Sequence, residues 1–220
     1  MNETTRMHTH TPPDASATHR GIRPDMLFAG AATLLCGGIA LDGGILTQAY
    51  RGASPVADDR LTFPWDGTTA IATSLTWGVS QLLFVAALIV FAKSDAVGTG
   101  RSGRVGAWLT VAGGVLIAAG HALTLVFLDA RVDDPGGVAV IAAFGVGSLV
   151  TLVGFVMAGV ATLRAGRWTS WRRHAPLALA VALLAVVPLQ FTPLLPLSVV
   201  LYAVATVWFG AALLAEGADQ

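Results

Sequence analysis

Charge is what this chain has least of. Asp, Glu, Lys and Arg together make up 12% of its 220 residues, about half the share of a soluble domain, and its mean hydropathy is +0.70. So little polar cover excludes an ordinary water-soluble fold and points to a membrane protein. Basic and acidic residues balance at 13 each, which leaves no excess of positive charge for a phosphate backbone; no nucleic-acid recognition motif occurs either, so nucleic acid is not an expected partner. Cysteine is limited to Cys36, which excludes an intrachain disulfide and reads as a small core residue. Only one histidine, His121, lies in an apolar run, so a haem held by two histidines between helices is not expected. P-loop, HExxH and GxSxG patterns are missing as well, which removes the enzyme classes that sequence shows most readily. No cofactor is expected. No metal is expected either: His8 and His10 are too few for a site, and the acids Asp58, Asp59, Asp66, Asp133 and Asp134 match no calcium-loop spacing.

Long uncharged runs are abundant. A helix needs about 20 apolar residues to cross a hydrocarbon core of about 30 Å, and six runs qualify, at 26–49, 69–92, 105–128, 138–163, 175–190 and 197–215. The last two are read as a hairpin broken by Pro188, Pro193 and Pro196, because the 41 residues from 175 to 215 as one helix would be about 60 Å long. The expected fold is all-α: a polytopic membrane bundle of six transmembrane helices spanning 26–215. Ten of the 13 basic residues fall before the first span, between the second and third, and between the fourth and fifth. By the positive-inside rule, both termini are expected in the cytoplasm. Residues 1–25 are polar and read as a disordered cytoplasmic tail, and 216–220 as a short C-terminal one.

The candidate site starts from Asp42, set between glycine pairs in GGIALDGG. A carboxylate in the middle of a membrane helix costs about 2.5–3.5 kcal/mol on insertion scales and usually faces protein or a water-filled cavity. Asp42 shares a helical stripe with Ala31, Leu35, Gly38 and Ala49, mostly small residues that suit close helix packing, so this stripe is expected to be buried. Comparable stripes carry Gln81 in the second span, His121 in the third, Thr151 in the fourth and Tyr202 in the sixth. Together they suggest a polar seam inside the bundle. Counted from the span starts, Asp42 and His121 lie at similar depth, about 24 Å in, and are expected to meet there as an ion pair or a hydrogen bond. Asp42, His121, Gln81, Thr151 and Tyr202 are therefore the candidates for binding a ligand or a proton. Register-locking hydrogen bonds between helices are the structural alternative. Asp66 is placed to cap the second span, and the arginines of RAGRWTSWRRH with Trp168 and Trp171 read as an interfacial belt near anionic headgroups.

The segments DDRLTFPWDGTTAIATSLTWGVSQLLF and AGVATLRAGRWTSWRRHAPLALA resemble uncharacterised six-span integral membrane proteins of actinobacteria, over about 25–215. That resemblance implies a multi-pass protein of the cell membrane and supplies no catalytic residues. The leading functional reading is non-enzymatic: small-solute binding, sensing or an accessory subunit. A proton-coupled small-molecule transporter is one alternative, and a membrane-embedded enzyme acting on a lipid or isoprenoid another. The lipid bilayer is the expected partner; a ligand within the bundle, a protein partner and a homo-oligomer stay open.

Overall fold

Six long helices carry the fold of the computed structural model, which describes residues 23–189 and 192–218. They are α1 (Pro24–Tyr50), α2 (Gly67–Lys93), α3 (Arg101–Val126), α4 (Pro135–Ala165), α5 (Ala175–Leu189, preceded by a 3-10 turn over Ser170–His174) and α6 (Leu195–Ala218). All six are long and apolar enough to cross a membrane once the turn is counted with α5. The described residues contain no strand, only an isolated bridge between Arg60 and Arg131. Most of the expected tail over 1–25 lies outside the described residues; α1 begins at Pro24, and α6 runs on to Ala218.

Local chemistry sets several helix ends. Pro24 and Pro135 open α1 and α4, where a missing N–H costs nothing and φ is already helical. Gly166 closes α4 in the left-handed conformation, which a residue without Cβ adopts freely. Asp66 occupies the N-cap position of α2 as expected, but its side chain makes no capping hydrogen bond.

Each helix packs on its neighbours in sequence, and α6 returns onto α1, so the six close into a ring. Two antiparallel pairs are especially close. In α3/α4 the contact runs through Gly103, Gly106, Thr110, Gly113, Ile117 and Gly120 on one side and Phe144, Gly147, Thr151, Gly154, Ala158 and Ala161 on the other. Both sets alternate steps of three and four, the spacing that keeps two helices in continuous contact at a shallow left-handed crossing. A Cβ on Gly154 would sit 2.5 Å from the Thr110 backbone nitrogen, so any side chain there would push the helices apart. In α1/α6 the same role falls to Gly30, Gly37 and Gly44, against Leu214, Val207 and Val200.

The ring is filled, and its filling is aromatic. Phe209 of α6 meets Phe91 of α2 (ring centroids 5.1 Å apart), Phe155 of α4 (5.7 Å) and Trp168 from the α4–α5 connection (6.4 Å), while Phe91 also meets Trp168 at 5.9 Å. Helices α2, α4 and α6 alternate around the ring, so side chains that join them occupy its axis. All four rings are essentially fully buried. Outward positions are apolar too, with Val126 71% and Val181 66% exposed, as expected of helices surrounded by acyl chains rather than water.

Candidate functional site

The seam expected from the sequence divides into parts that do not converge. Asp42 is exposed, and no ion pair or hydrogen bond joins it to another described residue. Its stripe, with Ala31, Leu35, Gly38 and Ala49, is exposed throughout; Leu35 and Ile45 are 54% and 53% exposed, and a Cβ on Gly38 would touch nothing within 4 Å. The expectation that this stripe is buried is corrected here. Helix α1 has two contact faces: Gly30, Gly37 and Gly44 pack on α6, while Cys36 and Gly43 pack on Ser80 and Trp77 of α2. The stripe through Asp42 is the third face and meets nothing.

The expected meeting of Asp42 and His121 is corrected as well. Gly43 abuts the edge of the Trp77 indole, and His121 stacks on that indole with centroids 6.1 Å apart and planes at 27°. Trp77 thus fills the space between α1 and the imidazole. On its other side His121 meets the edge of Phe144 at 4.8 Å. The imidazole is a half-buried member of an aromatic row running from α2 through α3 to α4, with no hydrogen bond to another described residue.

Gln81, Thr151 and Tyr202 have other partners. Gln81 Nε2 donates to the Gly114 carbonyl across α2 and α3 at 3.3 Å. Thr151 is buried in the α3/α4 contact and donates its hydroxyl to the Gly147 carbonyl of its own helix, at 2.8 Å. Tyr202 presents its ring to the edge of Phe84 at 6.5 Å. The hydroxyls explain why the seam does not form. Thr33, Thr76, Thr124, Thr162 and Thr206 all donate to the carbonyl four residues back, and Thr110 and Ser198 to the one three back. Each is satisfied within its own helix, so it packs as a small residue and exerts no pull toward a polar centre.

At the acidic end of the bundle, polar contacts hold the loops together. The α1–α2 and α3–α4 loops pair through Val132 N–H to the Asp59 carbonyl (2.8 Å) and Leu61 N–H to the Ala130 carbonyl (3.2 Å). Ion pairs Arg131–Asp59 (2.9 Å) and Arg60–Asp129 (3.2 Å) flank them. Arg51 lies over the Phe63 ring and donates to the Pro193 carbonyl at 3.0 Å, tying in the α5–α6 turn. At the basic end, Trp168 is not the interfacial residue expected but is 1% exposed, because the chain reverses at Gly166 and tucks the indole under the bundle. Trp171 stays 44% exposed. Arg172 pairs with Glu216 of α6 at 3.7 Å, both largely covered. No group of three or more potential metal ligands occurs among the described residues.

One feature was missed by sequence reasoning. A recess of about 430 Å³ on the flank of α3 is lined by Thr99, Arg101, Arg104, Val105, Trp108 and Leu109. The signal for it was available: Arg101, Arg104, Val105 and Trp108 recur at three- and four-residue spacing and so share one helical face. Compared with protein-family models, curated proteins and solved structures, the chain matches none.

Proposed function

We propose that this chain is a non-enzymatic, multi-pass protein of the cell membrane, with both termini in the cytoplasm, that works as an accessory subunit. Its working surface is the outward stripe of α1. The observation that carries this reading is the position of Asp42: exposed on the helix, unpaired, and about 12 Å inboard of Tyr50 at 1.5 Å per residue, which is within hydrocarbon depth. A carboxylate facing lipid is costly. A partner helix that brings a lysine, arginine, histidine, asparagine or glutamine to that depth offsets the cost, and Ala31, Gly38 and Ala49 let its backbone come close. The aromatic filling of the bundle axis supports the same reading over transport, since Phe91, Phe155 and Phe209 occupy the axis of the basic half with apolar side chains. The resemblance to six-span actinobacterial membrane proteins is in keeping with it.

The test is a photo-crosslinking amino acid at Gly38 in native membranes, with Val181, equally lipid-facing on α5, as control. A crosslink at 38 but not at 181, mapped by peptide mass spectrometry to another protein's membrane helix with a donor side chain and lost in Asp42→Leu, is the expected result. Equal crosslinking at the two sites, or a crosslink indifferent to Asp42→Leu, overturns the proposal. Adducts solely to a second copy of this chain replace the accessory role by self-association.

A further inference from the structure

The recess on α3 differs in chemistry from the α1 stripe, because its lining is charged at one end and apolar at the other. Arg101 and Arg104 are exposed, and neither side chain forms an ion pair with a described residue. Arg172, by contrast, is paired with Glu216. One and two turns further along the same face come Val105 and Trp108, 45% and 44% exposed, with Leu109 beside them. Arg101 and Trp108 are seven residues apart, about 10 Å along the axis. Read from the basic end toward the middle of the bundle, the recess offers the Thr99 hydroxyl and two guanidinium groups, then Val105, and last the Trp108 indole with Leu109 beside it.

That order matches an amphiphile lying along the helix. Guanidinium groups take a phosphate through paired N–H bonds, and Val105, the Trp108 indole and Leu109 offer apolar surface to the glycerol region and the upper acyl chain. We infer that the recess formed by Arg101, Arg104 and Trp108 holds the headgroup and upper acyl chain of an anionic phospholipid from the leaflet at the basic end. A free phosphate is the lesser fit, because half of the lining is apolar and the recess opens on the flank that faces lipid. The two arginines supply charge and Trp108 fixes depth. The site differs from diffuse attraction of the basic loops because it needs these three side chains on one face.

The experiment is native mass spectrometry of the full chain released from bilayers of equimolar phosphatidylglycerol and phosphatidylcholine. Retained adducts are expected to be mainly phosphatidylglycerol. At about 1 kcal/mol for each basic residue at an anionic surface, R101Q/R104Q is expected to lower that retention roughly thirtyfold, and a charge-matched control pair, R60Q/R131Q, whose guanidinium groups are paired with Asp129 and Asp59, to leave it within about twofold. Circular dichroism on the same samples checks the fold; should the double variant not fold, Arg104→Gln alone is read, with about a fivefold loss expected. Equal loss in the two pairs, or no preference for phosphatidylglycerol, overturns the inference. Displacement of the adduct by millimolar inorganic phosphate overturns the lipid assignment in favour of a soluble anion.

Discussion

In the basic half of the bundle Phe91, Phe155, Phe209 and Trp168 are sealed from every side, with Leu88, Leu179, Leu213 and Met26 packed around them. In the acidic half the comparably large Trp77, His121 and Phe144 form their own row but each stays partly uncovered. There the loops are stitched together by Arg51, Arg60 and Arg131. One half is held by packing and the other by a polar rim. Burial of an aromatic ring is worth several kcal/mol, whereas an exposed ion pair contributes about 0–1 kcal/mol, so the two halves are expected to respond very differently to substitution.

The largest contrast is expected at glycine. Gly154→Leu drives a side chain into the Thr110 backbone, a clash beyond the usual 1–3 kcal/mol of overpacking, and is expected to abolish recovery of monodisperse protein by size-exclusion chromatography. Gly38→Leu, at an open position, is expected to leave recovery unchanged. Next comes the aromatic filling: Phe209→Ala should lower stability by about 3–5 kcal/mol and Phe144→Ala by about 1–2 kcal/mol, in proportion to its lesser burial, as read from unfolding in mixed detergent micelles. Equal losses would break the distinction between the halves. Arg131→Gln, which removes the pair with Asp59, should cost no more than about 1 kcal/mol, and the difference should shrink as salt is raised. Smallest of all is Asp42→Leu in the isolated chain, expected to stay within about 0.5 kcal/mol of the parent as an exposed site does. A carboxylate buried against His121 would instead cost about 3–5 kcal/mol when its partner is removed.

The crossings were legible in the sequence because their signal is length without charge, and that pattern is independent of which way a helix is turned. The facing of each helix was not. These helices are largely apolar all round, so stripes containing Thr151 or Thr206 stand out by their polar groups, yet a hydroxyl that bonds its own helix contributes nothing to orientation. The glycine pairs around Asp42 held better information. Gly30, Gly37 and Gly44 recur every seven residues and mark the face against α6, which leaves Gly38 and Asp42 pointing away. Periodicity of the smallest residues was a surer guide to packing here than the placement of polar ones.

The outward facing of α1 can be measured without disturbing Asp42. With the buried Cys36 changed to alanine, a nitroxide label at Gly38→Cys in proteoliposomes of the purified chain reports on the stripe by electron paramagnetic resonance. A mobile label, relaxed strongly by oxygen and weakly by a water-soluble nickel complex, is the expected result; an immobilised label, or one relaxed chiefly by the nickel complex, would put the stripe inside a packed or hydrated interior and contradict the structure's placement of Asp42.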